Sequence, residues 1–248
     1  MALPFGLETG AALWMAAAIF VAAFVRGYSG FGSAAIIMAS AGLVTDPRPF
    51  IAVVTLADFL LTFQQWRGIR GHIDWRRCMT LTAGCLVGVP AGLALLAGVS
   101  VDVARGVVSG IILVMCAGLV AGLRMTRAAG DPAHLGAGFI SGAANAAGVG
   151  GLPVVVFFAA QPFAAAAFRA TLICYFTLMD LWTLPLLWWH GLVSRDTFFA
   201  VAVALPLLTL GIWLGGRHFL QAEPQNFRRF AILLLAALAS LGLVKSVV

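Results

Sequence analysis

Charged side chains are scarce in this chain. Asp, Glu, Lys and Arg make up 10% of its 248 residues, whereas a soluble domain carries about 25%. Apolar residues reach 62% and the mean hydropathy is +1.04. Stretches such as 105–123 and 230–244 are long enough to span a hydrocarbon core of about 30 Å. This composition excludes a soluble globular domain and predicts an all-α polytopic membrane protein with no appended soluble domain.

The motifs of common enzyme chemistry are also missing. The sequence has no HExxH, no Walker lysine motif, no Ser/His/Asp spacing and no CxxC pair. Its cysteines lie in or beside apolar spans, which favours small buried hydrophobic side chains over metal ligands or disulfides. They are Cys78, Cys85, Cys116 and Cys174. We therefore expect no enzyme activity, no metal and no cofactor.

Lysine is nearly absent, since one lysine accompanies fourteen arginines in a chain of formal net charge +6. The arginines stand singly or in pairs at the ends of apolar segments, where they set the topology of membrane proteins. A nucleic-acid surface needs clustered basic residues, so no nucleic-acid partner is expected. Residues 1–10 contain no basic residue, and a signal peptide needs a basic start. The first apolar stretch is therefore expected in the mature protein.

Two long apolar segments are interrupted in their middles by glycines and small polar residues. The first reads FVRGYSGFGS over residues 24–33, and the second reads FISGAANAAGVGGLP over residues 139–153. Broken backbone is tolerated inside a membrane only where protein or water satisfies its polar groups. A matched pair of such breaks, one in each half of a chain, indicates the binding site of a transporter.

The pattern of apolar runs divides the chain into two halves, each with one broken segment followed by three spans. The first break is flanked by 8–26 and 31–44, and its spans are 49–66, 77–98 and 104–123. Turns are predicted at 46–49 and at Asp131-Pro132. The second broken segment is 133–160, and its spans are 164–189, 197–216 and 228–246.

Internal similarity predicts a duplication with repeats at 1–127 and 128–248. Residues 30–33 match 148–151 at an offset of 118, and 88–92 match 211–215 at an offset of 123. The small drift between the offsets is what different loop lengths produce. The order of features carries more weight here than any single match.

The distribution of arginines favours repeats of inverted topology. If each broken segment re-enters and leaves on one side, loops 67–77, 124–130 and 217–229 face the cytoplasm with nine arginines, against three opposite. The nine are Arg67, Arg70, Arg76, Arg77, Arg124, Arg127, Arg217, Arg228 and Arg229, and the three are Arg48, Arg105 and Arg195. A single crossing by each broken segment would give seven against five. The pieces beside each break, of roughly 15 residues, are also shorter than the ~20 that a span needs.

The breaks have the chemistry of an anion site. A second half-helix starting near Gly32 or Ser33, and another near Gly150–Pro153, would aim unpaired N–H groups and a positive dipole end into the membrane. Pro153 suits a first helical turn because no donor is needed there. The residues expected around the anion are Arg26, Tyr28, Ser29, Gly30, Phe31, Gly32, Ser33, Ser141, Asn145, Gly148, Gly150 and Gly151. Other small-xxx-small pairs are assigned to helix packing: Gly88/Gly92, Gly118/Gly122, Gly138/Gly142 and Gly211/Gly215.

Five further residues inside the spans join Arg26 as candidates for the site: Arg169, Asp58, Asp180, Thr55 and Thr171. Arg26 and Arg169 need a partner or a ligand, because an intramembrane arginine costs at least ~2.5–3.5 kcal/mol. Asp58 and Asp180 could pair with an arginine, relay a proton or bind a cation. Thr55 and Thr171 could line the cavity, although such threonines more often bond their own helix.

These residues resemble the TauE/SafE sulfite exporter family over essentially the whole chain. The resemblance rests on residues 30–33 and 148–153, near the start of each half. The second copy fits the family's glycine-rich run followed by proline, whereas the first has Ser33 in place of a glycine and no nearby proline. The resemblance implies transport of sulfite, sulfonates, sulfoacetate, thiosulfate or related organic anions across the inner membrane.

The expected function is therefore secondary transport, as a probable exporter, of a small sulfur-containing oxyanion by alternating access. An anion channel, a cation-coupled importer and an accessory subunit of a sulfur-metabolism system are the alternatives. The expected partners are a small anion and the lipid bilayer, with a homodimer and a coupling proton or sodium ion left open. Both chain termini are expected on the non-cytoplasmic side.

Overall fold

A computed structural model describes residues 4–96, 98, 101–122, 125–145 and 150–219, with single helical positions at 233, 236, 237, 240 and 244. Within these residues the chain forms nine α-helices: α1 Thr9–Ser29, α2 Ser33–Val44, α3 Arg48–Ile69, α4 Trp75–Leu96, α5 Val101–Val120, α6 Asp131–Asn145, α7 Gly151–Ala159, α8 Ala165–Trp189 and α9 Arg195–Phe219. Four residues singled out above lie outside the described residues: Arg124, Gly148, Arg228 and Arg229. Most of the span expected at 228–246 also lies outside them.

Five of the described helical segments are long and apolar enough to cross a membrane: Thr9–Ser29, Arg48–His72, Trp75–Leu95, Ala166–Trp189 and Arg195–His218. The all-α polytopic membrane fold is thus confirmed. The length predicted for the pieces beside the breaks is wrong for α1, which has 21 residues, about 31 Å at 1.5 Å per residue. Helices α2, α6 and α7 have 12, 15 and 9 residues and are too short for a full span.

The first break is confirmed and is narrower than the sequence indicates. Helix α1 continues through Ser29, so residues 27–29 are helical. The chain then reverses at two glycines, Gly30 with φ 83° and Gly32 with φ 93°. The Gly30 N–H donates to the Arg26 carbonyl at 2.8 Å and closes the helix. A side chain at either position would strain the left-handed backbone, which is why glycine is needed twice within three residues.

The second break separates α6, ending at Asn145, from α7, beginning at Gly151. Pro153 lies in the first turn of α7, where its missing N–H is no loss. The turn expected at Asp131-Pro132 is wrong, because these two residues form the first turn of α6. A proline there is compatible with a helix start for the same reason as at Pro153.

The two broken segments are hairpins whose ends lie at opposite faces of the molecule. At one face, here called the Phe5 face, Phe5 shares a cavity with Asp46, which follows α2, and with residues of the α8–α9 loop. At the other, the Arg76 face, Arg76 pairs with Asp131 at the start of α6, and the chain after α7 returns there through a hydrogen bond from the Ala129 N–H to Gln161. Helix α3 connects the two faces.

Glycines bring two pairs of helices into close contact. A Cβ at these glycines would collide with backbone of the facing helix, so α4 packs directly on α6, and α9 packs directly on α1. The contacts are Gly84 with Leu135, Gly88 with Phe139, Gly92 with Ala143, Gly138 with Leu81, Gly142 with Cys85, Gly211 with Phe20, Gly215 with Phe24 and Gly27 with Ile212. Residue numbers rise together along both pairs, so each pair is parallel. The packing role is confirmed for the matched segments 88–92 and 211–215.

One packing assignment is wrong. Gly122 has φ 63° just after α5, and a Cβ there would meet only the Val120 carbonyl oxygen, at 4.0 Å. Its left-handed conformation is the usual way for a helix to end. Gly122 therefore terminates α5, and within the described residues it packs against no neighbouring helix.

Helices α3 and α8 cross each other in antiparallel directions at the centre of the molecule. Ile69 near the end of α3 clusters with Ile173 in the first part of α8, and Thr62 meets Thr177 hydroxyl to hydroxyl at 3.0 Å. Ala52 near the start of α3 lines a pocket with Trp188 near the end of α8. The four cysteines are buried and free, as expected for small hydrophobic side chains.

Candidate functional site

A buried ion pair lies at the first break. Arg26, on the last turn of α1, is 1% exposed, and its Nη1 lies 2.5 Å from Asp58 Oδ2 on α3. Its Nη2 donates to the Asp58 carbonyl oxygen at 3.4 Å. The Ser33 hydroxyl lies 3.3 Å from both Asp58 carboxylate oxygens and 3.5 Å from Arg26 Nη1. Of the three roles weighed for Asp58, pairing with an arginine is the one that the structure shows.

The guanidinium of Arg26 keeps donor capacity that this pair does not use. Its Nε is buried with no hydrogen-bond partner among the described residues. An arginine carries five N–H donors in a planar fork that suits oxyanions. A buried donor without an acceptor is unfavourable, so Arg26 Nε is a donor that a further acceptor could use.

The start of α2 adds backbone donors to the same place. Gly32 is its N-cap and provides no side-chain cap, and the first backbone bond of α2 runs from the Ile36 N–H to the Gly32 carbonyl at 3.1 Å. The preceding N–H groups of the first turn have no intrahelical acceptor, and the dipole places partial positive charge there. Arg26 and the α2 N-terminus therefore bring N–H donors together around Ser33, beside the Asp58 carboxylate.

Arg169 reaches the first break from α8. Its Nη2 donates to the Gly27 carbonyl at 3.2 Å, and a Cβ at Gly30 would lie 3.0 Å from its Cγ. The absence of a side chain at Gly30 thus lets the Arg169 stem lie across the break. Both arginines singled out from the sequence come to the same hairpin tip.

The remaining residues of the first break complete its backbone. Ser29 Oγ lies 2.8 Å from the Val25 carbonyl oxygen and 2.9 Å from that of Phe31, so its single O–H can donate to either carbonyl at the end of α1. Phe31 is buried in the apolar core. Tyr28 is 3% exposed, and its backbone packs against Gly215 of α9. These residues shape the hairpin tip, whereas the charged donors at the tip are Arg26 and Arg169.

At the second break the polar side chains bond to one another and to backbone. The Ser141 hydroxyl donates to the Gly150 carbonyl at 2.5 Å, and the Asn145 amide donates to Thr183 Oγ1 at 2.9 Å. A Cβ at Gly150 would lie 2.6 Å from Asn145 Cβ, so only glycine fits between the two arms. Gly151 opens α7 beside the Phe176 ring. Gly148 lies outside the described residues.

Helix α8 passes both breaks. Arg169 lies on the first break, and Phe176 lies on the second, seven residues or about 10 Å further along the helix axis. Asp180, one turn beyond Phe176, is 4% exposed and lies within electrostatic range of Asp58 and Arg26. The two tips are therefore neighbours along one buried helix.

Two threonines expected to line the cavity do not. The Thr55 hydroxyl donates to the Ile51 carbonyl of its own helix at 2.8 Å, which is the more common role for such a threonine. Thr171 Oγ1 accepts from the Asp74 N–H at 2.9 Å and so anchors the α3–α4 connection at the Arg76 face.

Sequence reasoning missed three buried polar residues on α3 and α8, namely Thr62, Gln65 and Thr183. Thr62 and Gln65 follow Asp58 at spacings of four and seven, and both amide atoms of Gln65 are buried without partners among the described residues. Thr183 follows Asp180 at a spacing of three and holds Asn145. The helical periodicity that groups them with Asp58 and Asp180 is readable in the sequence.

Together, two opposed hairpins with backbone breaks, a buried arginine–aspartate pair and a central antiparallel helix pair define a multi-pass membrane protein of the transporter class. The family model of the sulfite exporter TauE/SafE matches residues 15–241. The chain belongs to the TauE/SafE family, as its motifs indicated.

A curated relative supports the same assignment. The chain is 26% identical over 210 residues to a protein of Cupriavidus necator described as a probable sulfite/organosulfonate exporter TauE, and the alignment covers 82% of each chain. No solved structure matches the chain.

Proposed function

We propose that the protein is a secondary carrier of small sulfur-containing oxyanions such as sulfite, sulfonates or sulfoacetate, and that it exports them across the cell inner membrane. Family membership and the name of the Cupriavidus relative support this class of substrate. The shared chemistry of these anions is a compact, charged sulfur–oxygen group that accepts several hydrogen bonds.

The observation that carries the proposal is the placement of Arg26. It is almost fully buried, it adjoins the uncapped N-terminus of α2, and its Nε has no acceptor among the described residues. A sulfur oxyanion would accept from Nε and from the first-turn N–H groups of α2, with Arg169 close by. The start of α7 beside Asn145, Gly150 and Gly151 would face the anion from the second hairpin.

The packing of the helices supports two inverted repeats, 1–127 and 128–248. The equivalent pairs α1/α9 and α4/α6 are parallel, and the equivalent helices α3 and α8 are antiparallel to each other. A two-fold axis in the membrane plane would produce this pattern, because it exchanges the repeats and reverses their direction. Rocking of one repeat against the other around the hairpin tips would expose the anion to either side in turn.

The arginine distribution supports an orientation with the Arg76 face in the cytoplasm. Arg67, Arg70, Arg76 and Arg77 lie at that face, where α3 ends and α4 begins. The positive-inside bias then puts the N-terminus, at the Phe5 face, on the non-cytoplasmic side. The C-terminus would lie on the same side if a last span follows α9.

Counterflow in proteoliposomes tests the proposal. Vesicles loaded with unlabelled sulfite or thiosulfate should accumulate the same anion labelled with ³⁵S, saturably and faster than protein-free vesicles. Flux at channel rates without trans-stimulation would show that the protein is an anion channel and not a carrier. Silence with every sulfur oxyanion, from protein shown to be folded, would overturn the proposed function.

A further inference from the structure

Asp180 is a buried carboxylate, one oxygen of which has no hydrogen-bond partner among the described residues. It is 4% exposed, and its Oδ2 is buried with no hydrogen-bond partner among the described residues. No salt bridge within the described part of the chain includes it. An ionised carboxylate in such a place is very unfavourable unless a cation or a proton joins it.

The contrast with Asp58 shows what Asp180 lacks. The two residues lie on the equivalent helices α3 and α8, but only Asp58 has an arginine and a serine hydroxyl at bonding distance. The offset of 118 between the breaks places Ala144 opposite Arg26. Its neighbour Asn145 is neutral and is bonded to Thr183. Within the described residues, the second half of the chain therefore supplies this carboxylate without a counter-charge at bonding distance.

The charges that face Asp180 come from three other helices. Asp58 of α3 and Arg26 of α1 both lie within electrostatic range, and so does the Cys85 thiol of α4. Helix α7, which also packs against α8, contains no titratable residue. Arg70 and His72 lie in the turn beside the start of α8, at the Arg76 face, far along the helix from Asp180. One arginine thus faces two carboxylates here, with Arg169 nearer the first break.

An anion entering this site would find no net positive charge if both carboxylates were ionised. With Asp58 and Asp180 both charged, they balance the charges of Arg26 and Arg169; with Asp180 protonated, the same four residues carry a net positive charge. We propose that Asp180 takes up a proton from water when the anion binds and returns it when the anion leaves. This inference rests on the proposed function and adds proton coupling to it.

A proton suits this position better than a sodium ion. A bound sodium ion needs several oxygen ligands around one point, as in transporters that hold it between unwound carbonyls and side chains. Among the described residues, Asp180 Oδ2 has no hydrogen-bond partner. A proton needs the carboxylate alone.

Thermodynamic linkage between proton binding and anion binding gives the expected change of the anion's Kd with pH. If one proton binds with each anion, the anion's Kd rises by up to tenfold per pH unit once Asp180 is ionised in the empty protein. The probes should be thiosulfate and ethanesulfonate, because neither gains or loses a proton between about pH 5.5 and 8.5. Sulfite is unsuitable since it titrates in this range itself.

The experiment combines binding and flux for the wild type, Asp180→Asn and Asp131→Asn. Asp131 is an exposed carboxylate paired with Arg76 and is the matched control. Wild type and Asp131→Asn should bind thiosulfate more weakly as pH rises, take up one proton per anion in weakly buffered detergent solution, and accumulate anion along an imposed pH gradient. Asp180→Asn should bind and exchange anion independently of pH and take up no proton.

The outcomes separate the two claims. If anion binding still depends on pH in Asp180→Asn, the inference is overturned and the proposed carrier function is unaffected. A sodium dependence of wild-type exchange at constant pH, lost in Asp180→Asn, replaces the proton by sodium and also overturns it. Absence of exchange by the wild type with either probe overturns the proposed function, and the inference with it.

Discussion

The ion pair between Arg26 and Asp58 can be tested by changing its two members separately and together. Arg26→Gln leaves Asp58 charged and buried with only Ser33 as a partner. Removing one member of a buried pair costs about 3–5 kcal/mol, whereas replacing both by neutral groups of similar shape is close to neutral. The double variant Arg26→Gln/Asp58→Asn should therefore be folded and nearly as stable as the wild type, although Arg26→Gln alone is not.

Thiosulfate affinity should rank these variants in a different order from stability. If the anion and Asp58 compete for the guanidinium, Asp58→Asn should bind thiosulfate more tightly, because a competing charged hydrogen bond worth about 1.5–3 kcal/mol has been removed, a factor of roughly 10–150 in Kd. The double variant should be stable and yet bind weakly, because its donor has lost its charge.

The assay is thermal unfolding of the purified protein in detergent together with thiosulfate binding by calorimetry. Asp46→Asn is the control, since Asp46 pairs with Arg48 at the Phe5 face and away from the breaks. Wild-type affinity in the double variant would refute the role of Arg26 in anion binding. Equal stability of Arg26→Gln and the double variant would refute the described ion pair.

Three further predictions follow from packing and charge. Gly88→Leu should prevent folding, because the added side chain would collide with the backbone of Phe139. Gly110→Leu on α5 should fold, because a Cβ there meets no atom of the described residues within 4 Å. Size-exclusion chromatography compares the two variants. Gly30→Ala should lose about 1–2 kcal/mol from its positive φ and displace the Arg169 stem, so transport should fall; Gly68→Ala, which meets nothing within 4 Å, should transport normally. Arg169→Gln should raise the anion's Kd about tenfold in binding assays at unchanged fold, since it removes a charge beside the break; an unchanged Kd would exclude Arg169 from the site.

The first break was predictable because glycine at two positions of positive φ has no substitute in a membrane hairpin. The length of α1 was not, because Gly27 and Ser29 resemble helix breakers in the sequence. In the structure Gly27 is helical and is small so that Ile212 of α9 can approach. A glycine needed for packing and one needed for a turn look alike until the neighbouring helix is known.

The charged residues of the site were predictable individually, and their pairing was not. Arg26, Arg169, Asp58 and Asp180 stand out because charge is rare inside spans. Which carboxylate meets which arginine depends on the crossing of α3 and α8 and on the depth of each hairpin. The local sequence determines neither the helix crossing nor the hairpin depth. For the same reason it did not predict that Thr171 accepts a hydrogen bond from the Asp74 N–H at the Arg76 face.

The position of a bound anion tests the central claim most directly. A structure of the protein in a lipid nanodisc with thiosulfate, or in crystals with a selenium analogue located by anomalous scattering, should show the anion within hydrogen-bonding distance of Arg26 Nε and the first N–H groups of α2. An anion held elsewhere, with Arg26 still bonded only to Asp58 and Ser33, would contradict the account.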